Sequence, residues 1–280
     1  MKLELRTTIL MLFIFTLSLV GSLLFTLGTV NYYNLLSASS GVKVSYFPPY
    51  FELLYIVVGI LVFTGIVLLL IRLHLTKIIT VFFVFVSVLV LLEFFDILLS
   101  PLLNVIGTNV ILISLTAAIL LTIYYFRYAD NMSRNVVNMM IFITIGAVVS
   151  LALGPIPALI LIGIIGIYDY IAVFVTKHMI TLANGLTSGS FLAGITLAAK
   201  TRLKRMALLG GGDIVFPAVF INAVALSYPI GVTISVFAAA VLGLSLILFF
   251  GKKGKAYPAM AVIAPLQILA FGAYILVRFI

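Results

Sequence analysis

Asp169 and Asp213 are the residues of this chain best suited to chemistry, because each stands inside an apolar stretch long enough to cross a membrane. Asp169 lies in Ile167-Tyr168-Asp169-Tyr170, and Asp213 closes Gly210-Gly211-Gly212-Asp213. A carboxylate at that depth costs at least ~2.5–3.5 kcal/mol on insertion scales, so an intramembrane acid marks a functional site by default. Two of them on consecutive spans point to one shared site. Carboxyl groups that share a low-dielectric site titrate as a coupled unit. An ionised member can draw a proton from water while a protonated member donates to a carbonyl, which together carry a peptide bond through a tetrahedral intermediate. The roles exchange during turnover, so the mechanism belongs to the pair.

Other chemistries lack their residues. The chain has no cysteine, which removes disulfides, thiol nucleophiles and thiolate metal sites. His74 and His178 are the only histidines, both fall at cytoplasmic span ends, and neither belongs to an H-E-x-x-H arrangement. No cofactor or metal is therefore expected, and a serine–histidine or zinc mechanism is set aside.

The elements that must position the two acids are membrane helices. The chain is 65% hydrophobic and 8% charged, with a mean hydropathy of +1.39. No soluble domain of 280 residues hides that much apolar surface from water. The apolar runs are continuous rather than alternating, which excludes a transmembrane barrel. The expected fold class is an all-α, polytopic membrane protein, a single membrane domain over 1–280. Nine apolar segments fall at roughly 7–30, 50–71, 77–99, 105–126, 136–153, 156–176, 207–228, 229–250 and 257–278. Gly154-Pro155 and Tyr228-Pro229 separate two pairs of them, which predicts two tight antiparallel hairpins. The run Ile9–Val30 is too long for a signal core, so it is read as an uncleaved first span.

Charge sets the orientation. The net charge of +9 comes from basic residues at the ends of apolar runs, a pattern of membrane orientation rather than of nucleic-acid binding. With the N-terminus in the cytoplasm and nine spans, fourteen of the sixteen Lys and Arg fall inside, leaving Lys43 and Arg278 outside. The C-terminus is then outside. Asp169 precedes Lys177 by eight residues and Asp213 follows Arg205 by eight. At 1.5 Å per residue both carboxyls lie ~12 Å from a basic anchor, at matched depth on antiparallel helices.

Around the acids, Gly210, Gly211 and Gly212 permit close backbone approach, and Gly163 and Gly166 let a neighbouring helix come near Asp169. Ordinary helix packing explains any one of these glycines equally well. Tyr168 is read as a hydrogen-bonding neighbour of the pair. Pro217 and Pro265 are expected to kink their helices, and Asn222 and Gln267 to bond between helices. The connector 178–206 holds a loop-like Gly185–Ser190 stretch, an apolar Phe191–Ala199 stretch too short to span, and a basic cluster from Lys200 to Arg205. It is read either as an interfacial gate or as a solvated connector. Glu93 and Asp96, three residues apart near the outer end of the third span, are read as outer-interface or bundle groups. With the other two acids they could instead line an ion path.

The motifs resemble a known family. Tyr168-Asp169, followed by a second span bearing Gly210-Gly211-Gly212-Asp213, matches the paired Y-D and G-x-G-D motifs of the presenilin and signal peptide peptidase intramembrane aspartyl proteases. The run Gly212–Pro217 is more similar to signal peptide peptidase. Pro258-Ala259-Met260 resembles the family's P-A-L motif, with Met260 in place of leucine, a volume-conserving change. The motifs cover about 160–270, and the nine-span layout extends the resemblance over the chain. It implies Asp169 and Asp213 as the catalytic pair and Pro258–Met260 shaping the substrate cleft, while the small, cysteine-free chain with short loops suggests a microbial, archaeal homologue. The cytoplasmic N-terminus is presenilin-like although the local motif is peptidase-like.

The reading is of an intramembrane aspartyl protease, with 1–155 as scaffold, 156–280 as the catalytic helices and 178–206 as a cytoplasmic connector. The partners implied are transmembrane-helix peptides and the lipid bilayer, without nucleic acid, and a homo-oligomer is left open. A substrate helix must unwind near the inner side and pair as a strand with enzyme backbone, an edge assigned to the Pro258 region and the start of the connector. The expected location is the plasma membrane of a prokaryote. A cation channel or ion-coupled transporter built on the intramembrane carboxylates is the alternative.

Overall fold

The computed structural model describes residues 5–40, 49–73, 75–103, 109–175, 194–198, 206–251 and 257–279. Among them are nine helices: α1 Leu5–Ser40, α2 Pro49–Arg72, α3 Thr76–Leu103, α4 Val110–Arg127, α5 Asn131–Leu153, α6 Pro155–Tyr170, α7 Gly211–Ser227, α8 Ile230–Phe250 and α9 Met260–Phe279. Two short strands, β1 Gly194–Ala198 and β2 Met206–Gly210, form an antiparallel hairpin before α7. The fold is otherwise all-α. Seven helices are long and apolar enough to cross a membrane, while Leu53–Val67 within α2 and all of α7 are shorter apolar stretches.

Both expected hairpins form, for the expected reasons. α5 stops at Gly154, whose φ of +66° is open to glycine, and Pro155 starts α6 where no N–H is needed. Tyr228 ends α7 in an extended conformation and Pro229 leads into α8. Other boundaries move. α5 begins at Asn131 rather than 136, because Asp130 caps it by accepting the Ser133 N–H at 3.0 Å, and a polar first turn carries no hydropathy signal. The seventh helix begins at Gly211 instead of 207, since Met206–Gly210 is spent on β2.

The Asp130 cap gives a pH prediction outside the membrane spans. Hydrogen bonds from the Ser133 hydroxyl and then its backbone N–H hold the Asp130 carboxyl below its ordinary range. A lowered value means that the cap is complete above the usual aspartate range and is lost as pH falls through the lowered value. The Ser133 amide should therefore exchange more slowly than in Asp130→Ala at neutral pH, and equally fast in strong acid.

α7 is the centre of the bundle. Ala218, Val219, Phe220, Ile221, Ala223 and Val224 are at most 1% exposed, as expected for a helix that is apolar all round. α1, α5, α6, α8 and α9 surround it, and the hairpin packs into the same core through Ile195, Leu197 and Leu209. Gly146 of α5 lets α1 and α7 close in, because a Cβ there would meet Ser22 Oγ at 2.7 Å and Ala218 Cβ at 3.2 Å. At the same level Asn222 Nδ2 donates to Ser22 Oγ (2.8 Å), which donates to the Ile143 carbonyl (3.1 Å). Gln267 Nε2 of α9 reaches the Pro217 carbonyl of α7 at 3.4 Å. Asn222 and Gln267 thus make the interhelical bonds expected of polar groups in spans. α3 and α4 pack as a flanking pair around Leu91, Ala118 and Tyr125. Large apolar side chains face outward on many helices, Tyr55 at 73% and Ile111 at 67% exposed among them, a surface suited to lipid.

Candidate active site

α6 carries Asp169 in its last turn, and the chain continues as a π-helical turn over Ile171–Val175. Turns of that kind collect at functional sites. What holds the Asp169 carboxyl is main chain: Met260 N–H donates to Asp169 Oδ2 at 3.0 Å. Met260 is the first residue of α9, so its N–H has no acceptor within its own helix. A helix start is an apt donor to a carboxyl group. Pro258, Ala259 and Met260 are all buried, and the segment's contribution at this contact is a backbone donor, which a Leu-to-Met exchange leaves untouched.

The contact depends on how closely α6 and α9 approach. At Gly166, one turn before Asp169, a Cβ would sit 3.1 Å from Ala264 Cβ and 3.2 Å from the Met260 carbonyl oxygen. Gly163 has only ordinary contact, 3.8 Å to Ile268 Cδ1. Of the two glycines expected to admit a neighbour, Gly166 is the one that geometry requires.

Asp213 stands in the first turn of α7, with Gly210 as the N-cap in extended conformation (φ −64°, ψ 146°). Its carboxyl folds back toward Gly210, the position from which a third helical residue reaches toward its cap. A Cβ on Gly210 would lie 3.0 Å from Asp213 Oδ2, so the glycine makes room for the folded-back carboxyl. Gly211 is buried, and Gly212 is exposed, where a Cβ would meet the Phe216 ring at 3.3 Å. Pro217, four residues on, has no N–H, so the Asp213 carbonyl loses its usual helical donor.

Asp169 and Asp213 come together: both are half-buried, and they lie within electrostatic reach of each other. Tyr168 is half-buried beside Asp169. The basic anchors Lys177 and Arg205 used to argue matched depth lie outside the described residues, as does most of the 178–206 connector. Glu93 and Asp96 do not join this site. They stand half-buried on α3, which packs chiefly on α1, α2, α4 and α5.

The hairpin is what the sequence reading lacked. β2 ends at Gly210, the same residue that caps α7, so the strand runs into the Asp213 helix without a linker. Its register pairs Ile195 with Leu209, Thr196 with Leu208 and Leu197 with Ala207. The start of the connector, where an enzyme edge is expected from sequence, lies outside the described residues; both described strands fall nearer its end. The apolar Phe191–Ala199 stretch supplies β1 over its last five described residues, 194–198.

Two solved structures of a presenilin family intramembrane aspartate protease, in C222 and P2 crystal forms, share this architecture with TM-scores of 0.68 and 0.61. The first is 19% identical, with 96% of this chain and 99% of that chain aligned; the second is 22% identical, with 93% and 96% aligned. At such identities the likeness speaks for the fold. Among curated proteins none matches significantly. A family model described as signal-peptide peptidase, presenilin aspartyl protease matches residues 48–278, a span that includes both aspartates and the Pro258–Met260 segment. The chain therefore belongs to the signal-peptide peptidase and presenilin family of aspartyl proteases.

Proposed function

We propose that this protein hydrolyses peptide bonds within transmembrane segments, with Asp169 and Asp213 as the pair that activates water and protonates the substrate carbonyl. One observation carries the assignment. Two intramembrane carboxyls, from α6 and α7, stand within electrostatic reach of each other in a chain of an aspartyl protease family, and Asp169 is held by the helix-start N–H of Met260. The transport alternative is disfavoured by the family and by the separation of Glu93 and Asp96 from the pair. All these residues come from one chain, which supports activity in a single protomer. Nine spans with a cytoplasmic N-terminus and an outer C-terminus remain our topology, supported by the distribution of basic residues, and a prokaryotic cell membrane our location.

Purified protein in liposomes, given a generic transmembrane peptide, should yield products cut inside the apolar segment, blocked by a transition-state-mimicking aspartyl-protease inhibitor. No product from several peptides, with acid-dependent ion flux instead, would sink the reading.

The substrate strand we assign to the outer edge of β2. In an antiparallel pair, residues alternate between facing the partner strand and facing outward. Thr196 turns its backbone groups away from β2, toward α5, so its partner Leu208 turns its own to the opposite edge. The sheet has two strands among the described residues, and Leu208 is 45% exposed. An unwound peptide laid there satisfies its freed amides and is led toward Asp213. Leu208→Pro removes one outward N–H while sparing the hairpin's own bonds. It should lower kcat/KM about three- to tenfold, the worth of one hydrogen bond. An unchanged kcat/KM would point to a different edge.

A further inference from the structure

The outer edge of β1 is occupied by side chains rather than by a strand. Asn135 Nδ2 donates to the Thr196 carbonyl at 2.7 Å, and the Thr196 N–H donates to Asn135 Oδ1 at 3.0 Å. One carboxamide therefore makes both bonds that the facing residue of a neighbouring antiparallel strand would make. One turn along α5, Asn138 Nδ2 donates to the Gly194 carbonyl at 2.8 Å. The Tyr125 hydroxyl of α4 donates to Asn138 Oδ1 at 3.0 Å and so fixes which way that amide faces. The Arg134 guanidinium lies 5.9 Å from the centre of the Tyr125 ring. Asn135 and Asn138 are 3% and 4% exposed, on a helix that otherwise sits in the apolar bundle.

Burial of a sheet edge requires partners for its backbone groups, and a third strand or water would serve that need equally well. The asparagines do something a third strand would not. They tie the hairpin to a scaffold helix at one height and close one of its two edges to any incoming chain. The face-alternating period of a strand makes that height consequential: a slip of one residue turns the wrong side chains inward, and a slip of two moves the chain by ~7 Å.

From this we infer that Asn135, supported by Asn138, is a positioning residue of the protease: it acts as a substitute strand that seals the β1 edge and sets the register in which a substrate on β2 meets Asp213. The inference rests on the strand-docking reading given above. Neither asparagine touches substrate or the reacting atoms; both act through the hairpin.

Two measurements test it. The first is cleavage of one transmembrane peptide by wild type, Asn135→Leu and Asn138→Leu, with product ends mapped by mass spectrometry. Thr144→Val serves as the control, since Thr144 is a buried α5 group that bonds only its own helix at the Met140 carbonyl. Asn135→Leu should reduce kcat about tenfold or more, displace or spread the cut positions, and change KM less than about threefold. Asn138→Leu should do the same more weakly, and Thr144→Val should keep the wild-type cut positions. Cut positions and kcat in Asn135→Leu equal to wild type would overturn the inference. Absence of product from wild type is a failure of the protease reading and is visible in the same assay.

The second measurement needs neither turnover nor a folded Asn135 variant. Hydrogen–deuterium exchange, resolved to single amides, is followed in Asp213→Asn with and without bound peptide. Thr196 should be slow in both states, while Leu208 should be fast alone and slow when peptide is bound. A Thr196 amide that is fast alone, or that gains the protection in place of Leu208, would overturn the sealed-edge assignment.

Discussion

Asp169→Asn and Asp213→Asn should each leave a folded, peptide-binding protein whose cleavage rate has fallen by at least ~10²–10⁴-fold, the range for loss of a positioned acid or base. Asparagine keeps the shape of the side chain and one carbonyl oxygen. At position 169 it therefore still accepts the Met260 N–H, and at position 213 it still fits the space that Gly210 leaves. What it cannot do is act as general base toward water or as general acid toward a carbonyl. The loss should fall on kcat, with peptide binding retained, because in the proposed mechanism the two acids act on the reacting bond and not on the docked strand. Because the carboxyls work as one unit, the double variant should be scarcely slower than either single one. Rates are read by mass spectrometry of products, and binding by retention of the uncut peptide. Residual cleavage at a tenth of the wild-type rate in either variant would remove that aspartate from the catalytic pair.

The second large effect lies away from the acids. Gly166→Val should cost about 10²-fold in kcat, through movement of α9 rather than through any lost polar group. Even an alanine Cβ at this position would be 3.1 Å from Ala264 Cβ and 3.2 Å from the Met260 carbonyl oxygen, closer than real contacts favour. A valine must push the start of α9 outward, and that start carries the N–H bonded to Asp169. The cost in stability should be the ~1–3 kcal/mol typical of an overpacked site, well below the effect on rate. Two companions isolate the cause. Gly163→Ala, with 3.8 Å of room, should be silent in both assays. Gly166→Ala should be mildly impaired, and Ala264→Gly in the same chain should restore part of the loss by vacating the methyl it strikes, while the Met260 carbonyl stays close. A Gly166→Ala variant as active as wild type would mean that the close approach at Gly166 does not set the rate.

Much of the bundle was readable because lipid makes helices announce themselves. Continuous apolar runs, the Gly154-Pro155 and Tyr228-Pro229 breaks, and two acids stranded in spans are each a direct physical signal, and each corresponds to a described helix, turn or site group. The hairpin escaped for an equally physical reason. Met206-Ala-Leu-Leu-Gly210 is a short apolar run that continues into the apolar α7, and hydropathy cannot tell a buried strand from the first turn of a helix. The glycines at 210–212, poor helix formers, were the available hint that the helix starts late. Asn135 and Asn138 were likewise visible as polar residues at the start of a span, but their partners at Thr196 and Gly194 are about sixty residues distant in sequence. The Met260 contact was out of reach in principle. Its donor belongs to the main chain, and a side-chain alphabet does not spell out which backbone N–H faces a carboxyl.

Gly210 ends a strand and caps a helix at once, and that shared residue leaves no slack between the proposed docking strand and the carboxyl proposed to cut the peptide. For any peptide that pairs along β2, tension on the strand is delivered straight to the first turn of α7. Docking and alignment then behave as one mechanical event, and each added backbone contact is felt as a better-aimed Asp213 rather than as a tighter grip. Shortening a substrate at the strand-forming end should therefore slow its cleavage more than it weakens its hold, since energy from remote contacts is spent at the reacting bond. Such an enzyme measures its substrate by the length of chain it can pull straight.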